Sequence, residues 1–372
     1  MKSLSLLIKP VSSGCQMSCS YCFYKDVASL RSCSDYGRMQ KEIVQALLER
    51  VFQAADEDAV ITFAFQGGEP LLAGLSFYEH FISMLNQLCT PNQTIHYAIQ
   101  TNGYMLDEAW CSFFHTNNFL MGISLDGWKQ QHDRFRTRNG SGTYVKVMRS
   151  IQLLRRYHVS FNILSVLTRQ LAQKPEKLYA FYKEHGFTHI QLIPCLAPLQ
   201  GASDTCSLTP ELFYRFYRGF FDIWLQDGMK KQYMSVSLFD NLLRLLQGDT
   251  CQLTCGMLGA CQFQYVVESD GSLYPCDFYV LDEYRCGNVM DTDLHTALHS
   301  KQAAACLKQE EPVRCHTCPF QPICHGNCKR LRSVFMNPQQ CGYQQFLLYA
   351  YPKLKTLADK AVLPKLQGRQ SA

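Results

Sequence analysis

The sequence has no apolar run approaching the roughly 20 residues that a membrane-spanning helix needs. Its first ten residues break their apolar run too early for a secretory signal, so export is not expected. No run of like charges stands out, and 36 basic against 31 acidic residues leave a net charge of only +5. That balance offers no footing for a nucleic acid or a membrane surface. A cytoplasmic chain is therefore expected, and structural disulfides are rare in that compartment. What is present in excess is cysteine, 19 in 372 residues. Clustered cysteines in a reducing compartment read as metal ligands rather than bridges. With 47% hydrophobic and 12% aromatic residues the chain can bury a large core, and its length fits two domains or one large α/β domain with an appendage.

The most informative stretch is Cys15-Gln16-Met17-Ser18-Cys19-Ser20-Tyr21-Cys22. A loop this tight can bring three thiolates to one iron–sulfur cluster, since thiolates are soft ligands that such clusters select. Three ligands leave one iron of a four-iron cluster without a protein ligand. An open coordination position is what a catalytic metal centre keeps and a structural one closes. The competing readings are a zinc site short of a ligand, or free cysteines in the core.

Strand and helix patterns alternate through the first two thirds of the chain. Strands are expected over 5–9, 60–65, 95–100, 120–124, 159–167 and 189–193. Helices are expected over 39–52, 77–88, 108–115, 144–157, 177–185 and 212–225. Six strand–helix units call for parallel strands joined by crossovers, which favours an α/β fold with a partial (β/α)6 TIM-like barrel. Chemistry in such barrels sits on loops at the C-terminal ends of the strands. The cysteine loop, Gln66-Gly67-Gly68-Glu69-Pro70, Gln100-Thr101-Asn102-Gly103 and Ser124-Leu125-Asp126-Gly127 all follow strands directly. Each could be a plain turn. Alternatively, Gly67 and Gly68 let backbone groups approach a ligand closely, Ser124 and Asn102 bond a ribose or an amino-acid moiety, and Arg136 pairs with a carboxylate.

Beyond about residue 235 the alternation stops and cysteines crowd in: Cys255, Cys261, Cys276, Cys315, Cys318, Cys324, Cys328 and Cys341. Eight thiolates suffice for two four-iron clusters, and equally for two structural zinc sites. Between them, two strand-like runs joined by Asp270-Gly271 read as a β-hairpin that delivers Cys276 and the adjacent Asp277. The other eight cysteines, Cys33, Cys89, Cys111, Cys195, Cys206, Cys251, Cys286 and Cys306, show no spacing pattern. Free cysteine is commonly a small buried hydrophobe. Cys251 stands closest to the ligand string, four residues before Cys255.

Cys15-x3-Cys19-x2-Cys22 followed by Phe23-Tyr24, together with Gln66-Gly67-Gly68-Glu69-Pro70, resembles the radical S-adenosylmethionine superfamily. The C-terminal cysteine string is similar to the SPASM extension, which holds two auxiliary four-iron clusters. The stretch from Val266 to Asp282, with Cys276-Asp277-Phe278-Tyr279 inside it, resembles the anaerobic sulfatase-maturating enzymes, and the likeness runs nearly end to end. The resemblance implies a radical S-adenosylmethionine core over 1–234 and, over 235–372, a cysteine-rich SPASM domain carrying the β-hairpin and short helices.

The same resemblance implies three 4Fe-4S clusters and S-adenosyl-L-methionine as cofactors. It places one cluster on Cys15, Cys19 and Cys22, a second on Cys255, Cys261, Cys276 and Cys328, and a third on Cys315, Cys318, Cys324 and Cys341. Tyr21, Gly68, Ser124 and Arg136 would contact S-adenosylmethionine, and Tyr24 and Gln66 would lie near the substrate side chain. An electron from an external donor such as flavodoxin or ferredoxin would lead to a 5′-deoxyadenosyl radical. That radical would take hydrogen from Cβ of a cysteine or serine in a sulfatase polypeptide, leading to Cα-formylglycine. Asp277 would take the thiol or hydroxyl proton. An ordinary aspartate, with a pKa of about 4, is a weak base for a thiol of about 8.5, so burial and acidification of the substrate radical are expected to help. The chain is expected to act as a monomer.

Two other readings stay open. One is a different SPASM enzyme that forms thioether cross-links on a peptide. The early first strand counts against it, because such enzymes often carry an N-terminal recognition domain. The other is a non-catalytic iron–sulfur or zinc protein in electron transfer or regulation, which the three-cysteine loop with Gly67-Gly68 disfavours.

Overall fold

Six strand–helix pairs follow one another from the N-terminus in the computed structural model, which describes residues 1–200, 205–250 and 253–360. Cys251 lies outside the described residues. The strands are β1 Ser3–Ile8, β2 Val60–Phe65, β3 Thr94–Thr101, β4 Phe119–Ser124, β5 Phe161–Leu167 and β6 His189–Pro194. Between and after them come the helices Lys41–Ala54, Leu75–Leu88, Glu108–Thr116, Tyr144–Arg156, Pro175–Glu184 and Pro210–Met229. The α/β pattern therefore follows the hydrophobic periodicity closely. The last helix runs on to Met229 rather than stopping near 225, because Trp224 and Asp227 are still buried. Thr209 caps its start, accepting the Leu212 N–H, and Pro210 fills the first position, where no N–H is needed.

By packing, the chain divides into two compact units. The first comprises Met1–Ile163, Pro198–Ala202 and Gln262–Lys308. The second comprises Leu164–Ala197, Ser203–Cys261 and Gln309–Ala372. These units cut across the expected segments 1–234 and 235–372. One departure is the hairpin, whose strands are β7 Tyr265–Val267 and β8 Ser272–Tyr274 and which belongs to the first unit; the other is Leu164–Ala197, which belongs to the second. β7 pairs in parallel with β1, setting Leu6 opposite Tyr265 and Ile8 opposite Val267. The two hairpin strands pair antiparallel. Their turn uses Gly271 at φ +84°, where an added Cβ would meet Asn288 Oδ1 at 2.8 Å.

In the first unit β1, β2, β3 and β4 lie side by side in that order and all run parallel. Alternate residues of β1 and β2 are buried: Leu4, Leu6 and Ile8, then Ile61, Phe63 and Phe65. Helix Leu75–Leu88 contributes Tyr78 and Phe81, with ring centroids 5.1 and 5.2 Å from that of Phe65. Because the strands are parallel, the loops after β1, β2, β3 and β4 all leave from one end of this sheet.

The second unit contains the helices Pro210–Met229, Ser237–Leu246 and Gly342–Asp359. Short helices are what the sequence suggests for the C-terminal part, and Gln321–Cys324 and Arg332–Phe335 are short. Gly342–Asp359 is not, at 18 residues. Pro352 lies inside it and reads as a breaker. The buried face of Tyr343, Phe346, Leu347, Ala350 and Leu354 offsets the missing hydrogen bond. Phe346 packs against Tyr217 and Phe221 at centroid distances of 5.8 and 5.9 Å.

Candidate functional site

The three-cysteine loop follows β1 and is clasped from two sides. On one side, Gly68 donates its N–H to the Ser12 carbonyl at 2.9 Å, and Glu69 donates to the Gly14 carbonyl at 2.7 Å. A Cβ on Gly68 would stand 2.0 Å from the Gly14 oxygen. Gly68 is thus required by the approach of two backbones, whatever else it touches. On the other side, Ser18 and Ser20 donate to the carbonyls of Thr137 and Phe135. Cys15 and Cys22 are exposed and Cys19 is half-buried. Burial pushes the Cys19 thiol up to about 11 against the pull of Arg136. A thiol of that kind stays protonated near neutral pH unless a metal takes the proton's place, which fits a ligand.

The loop after β2 is tied to the loop after β3 by Glu69. One of its carboxylate oxygens accepts from Thr101 Oγ1 at 2.6 Å and from the Leu71 N–H at 3.1 Å, and the other from the Asn102 N–H at 2.8 Å. Burial nevertheless pushes its carboxyl up to about 7. Asn102 Nδ2 faces Cys15 Sγ at 3.8 Å.

Arg136 does meet a carboxylate, that of its own chain's Asp126, which is fully buried in the turn after β4. Arg136 Nε donates to Asp126 Oδ2 at 2.9 Å, and the Tyr21 hydroxyl donates to the same oxygen. His132 supports the turn from below. Its Nδ1 accepts the Asp126 N–H at 3.3 Å and its Nε2 faces Thr143 Oγ1 at 3.0 Å. Burial holds this imidazole down at about 4, so it is neutral and one nitrogen can accept. Tyr21 and Arg136 are thereby brought together next to Cys19. Ser124 ends β4 and is half-buried.

Asp277 begins a short turn, Asp277–Tyr279, directly after Cys276. Lys9, at the end of β1 and fully buried, donates to Asp277 Oδ1 at 2.5 Å. Gln66, after β2, donates from Nε2 to Asp277 Oδ2 at 2.6 Å. Both oxygens accept, as an ionised carboxylate can, and each retains a second lone pair. Tyr24 lies beneath this clamp rather than open to it: it is 2% exposed, and its ring centroid is 3.8 Å from Lys9 Nζ. Its hydroxyl donates to Glu268 Oε1, which also accepts from Arg31 Nη1 at 2.7 Å. Lys9, Glu268 and Arg31 are the residues that reading the sequence missed, and Asp126 was placed in a candidate loop without a role. A signal for two of them was available, since Lys9 and Glu268 are charged residues at the C-terminal ends of strands, where barrels carry chemistry.

In the second unit Cys315, Cys318, Cys324 and Cys341 line one cavity, walled by Phe320, Phe335 and Tyr343. Cys341 caps the long helix and its sulfur accepts the Gln344 N–H at 3.4 Å. Cys324 accepts the Gly326 N–H. Burial outweighs these donors, pushing the Cys324 thiol up to about 11 and the Cys341 thiol up as well, so both stay protonated near neutral pH unless a metal takes the proton's place. Cys328 does not line this cavity; Cys255 and Cys328 instead lie near enough to Cys261 for their charges to act on its thiol. Cys276 belongs to the first unit. Among the described residues no three His, Cys, Asp or Glu side chains converge to hold a single metal ion. In a four-iron cluster each thiolate binds a different iron, so its ligands surround a volume rather than meet at a point. Of the cysteines without a spacing pattern, Cys111, Cys195, Cys206, Cys286 and Cys306 are buried and Cys33 and Cys89 half-buried.

Residues 10–181 match the family model of the radical SAM superfamily, and residues 255–319 match that of SPASM, an iron–sulfur cluster-binding domain. The chain is 40% identical over 335 residues to a cysteine-type anaerobic sulfatase-maturating enzyme of Clostridium novyi (strain NT), covering 89% of each chain. It is 31% identical over 378 residues to a serine-type anaerobic sulfatase-maturating enzyme of Bacteroides thetaiotaomicron, covering 94% of this chain and 90% of that one. Among solved structures it is similar to native anSMEcpe with bound AdoMet and Kp18Cys peptide, at a TM-score of 0.87 and 38% identity. That alignment covers 96% of this chain and 99% of the other.

Proposed function

This chain belongs to the anaerobic sulfatase-maturating enzymes of the radical S-adenosylmethionine superfamily, and from that premise we propose how its residues divide the work. The enzyme oxidises a cysteine or serine of a sulfatase motif to Cα-formylglycine, using S-adenosylmethionine and three four-iron clusters. When bound, the cluster on Cys15, Cys19 and Cys22 supplies, with S-adenosylmethionine, the radical that takes hydrogen from the substrate Cβ. Tyr21, Gly68, Ser124 and Arg136 shape the S-adenosylmethionine side of the site. Gly68 does so through backbone, and Arg136 through a guanidinium held by Asp126.

Asp277 accepts the substrate proton. The observation that carries this role is the clamp on its carboxylate: Lys9 and Gln66 occupy one lone pair on each oxygen and aim the remaining pairs. Gln66 touches Asp277 directly, and Tyr24 works through Lys9. Cys315, Cys318, Cys324 and Cys341 hold one auxiliary cluster, supported by their shared cavity. The other takes the ligands that the family resemblance assigns.

We further propose cysteine as the preferred target residue. The supporting difference is that the cysteine-type relatives are 38–40% identical to this chain and the serine-type relatives 27–31%. An external flavodoxin or ferredoxin supplies electrons to a cytoplasmic monomer; the many cysteines suit a reducing compartment. Among the described residues no helix is long and apolar enough to cross a membrane.

The test is mass spectrometry of two peptides carrying the sulfatase motif with cysteine or serine, after anaerobic incubation with reductant and S-adenosylmethionine. Formylglycine in both, formed faster from cysteine, is expected. A thioether product, or 5′-deoxyadenosine without any modified peptide, would sink the reading. Equal rates would remove the cysteine preference alone.

A further inference from the structure

Glu268 is a carboxylate with no exposed side-chain surface, held by Arg31, the Tyr24 hydroxyl and the Ser269 N–H, with Lys9 close enough for its charge to act on it. Burying such a group is costly, and well-packed apolar residues would hold a fold at least as well as a buried ion pair. Stability alone therefore does not explain it. What an ion pair offers that apolar packing does not is direction.

The directions converge on the reacting side of the site. Glu268 Oε1 accepts the Tyr24 hydroxyl and Arg31 Nη1, the latter at 2.7 Å. Arg31 is itself fixed by donating to the Ser34 carbonyl at 2.8 Å. With its hydroxyl held by Glu268, the Tyr24 ring forms the floor under Lys9 Nζ at 3.8 Å. Lys9 then reaches Asp277 at 2.5 Å. Tyr24 lies in the helix that starts right after Cys22, whereas Glu268 lies in the hairpin that leads to Asp277. One buried carboxylate thus ties the segment leaving the cysteine loop to the segment carrying the proton acceptor.

We propose that Glu268, with Arg31 as its counter-charge, is a positioning residue of the reaction: through Tyr24 and Lys9 it sets where the Asp277 carboxylate stands relative to the cysteine loop. This rests on the reading of Asp277 as proton acceptor. It requires no added chemical step, because the Glu268 side chain is fully buried and acts through its neighbours.

The experiment uses the reconstituted full chain, a cysteine-motif peptide, S-adenosylmethionine and reductant. It records the ratio of formylglycine to 5′-deoxyadenosine, kcat and KM separately, bound iron and Tm. Glu268→Gln keeps the shape and removes the charge. The double variant Glu268→Gln/Arg31→Met removes both charges, so no buried cation is left unpaired, and Glu268→Asp keeps the charge with a shorter reach. A misplacement of ~1 Å can cost up to ~100-fold in rate, so the product ratio should fall at least about fivefold in the first two variants. KM for the peptide and bound iron should hold, and Glu268→Asp should lie between them and the parent. Tm should recover in the double variant while the ratio stays low. A ratio that recovers together with Tm, or that never falls, overturns the proposal and leaves Glu268 a structural residue. Asp277→Asn is run alongside. If it also leaves product and cleavage coupled, the reading of Asp277 has failed and this inference with it. If it uncouples them while the Glu268 variants do not, this inference alone is wrong.

Discussion

Around Asp277 the first unit buries Lys9, Arg31 and Glu268 with no exposed side-chain surface, whereas Phe320, Phe335 and Tyr343 wall the four-cysteine cavity of the second unit and Arg314 is its one charged lining residue. Both regions hold polar or soft atoms away from water, but they suit the different tasks proposed for them. A proton acceptor has to be aimed, and aiming takes hydrogen bonds with fixed directions. A cluster that carries electrons takes its ligands from thiolates and its tuning from N–H groups on the sulfurs and a dry wall. The first arrangement is built from paired charges and the second mainly from sulfur and aromatic walls.

The comparison can be broken most sharply at the three-cysteine loop. Changing Cys15, Cys19 and Cys22 together to Ala should reduce S-adenosylmethionine cleavage to background while leaving about eight of about twelve irons bound. Metal analysis and a 5′-deoxyadenosine assay on the same sample decide it. If cleavage persists, the open-site cluster lies elsewhere; if most of the iron leaves, the two regions are not independent.

Next in size is Asp277→Asn, which keeps shape and donors but cannot take a proton. General-base contributions are typically about 10²–10⁴-fold. Formylglycine yield should therefore fall at least about tenfold more than 5′-deoxyadenosine yield in one reaction mixture. A parallel fall would mean that Asp277 serves structure or substrate binding.

A narrower effect is expected from Cys324→Ala in the apolar cavity. Bound iron should drop by about four per chain and Tm by several degrees, while the electron paramagnetic resonance signal of the reduced radical cluster stays. Unchanged iron would remove Cys324 from the ligand set.

The smallest effect tests whether buried charge is costly in the first unit. Glu69 has its carboxyl pushed from 4.5 to about 7 by burial. Between those values the folded chain holds a proton that the unfolded chain has released. The Glu69 contribution to stability therefore declines as pH rises from 4.5 to about 7, and is level above that. Glu69→Gln should flatten this part of the curve by a few degrees in Tm scans of the metal-free protein between pH 5 and 8. Superimposable curves would show that the donors Thr101, Leu71 and Asn102 fully offset burial.

Much of this molecule was legible in its sequence, because the relevant information is local. Six strand–helix pairs follow from periodicity within a few residues, and the hairpin from Asp270-Gly271 between two apolar runs. Gly68 is of the same kind: the glycine is visible, and its reason, backbone contact with Gly14, lies across two neighbouring loops. The long helix Gly342–Asp359 was hidden by Pro352, since a single residue that breaks isolated helices can be outweighed by a buried face.

What only the tertiary structure decided is which distant residues meet. Lys9 finds Asp277 across 268 positions, Tyr24 finds Glu268 across 244, and Arg31 finds it across 237. No spacing rule connects such pairs; they meet because β7 adds to the edge of β1 and brings the hairpin with it. The same holds for the C-terminal cysteines. Spacing shows that eight are present and the family resemblance implies a grouping, but that Cys315, Cys318, Cys324 and Cys341 line one cavity without Cys328 depends on how the chain between them turns. A charge or a thiol announces its chemistry in the sequence, and its partner is set by the packing of backbone elements that carry no such label.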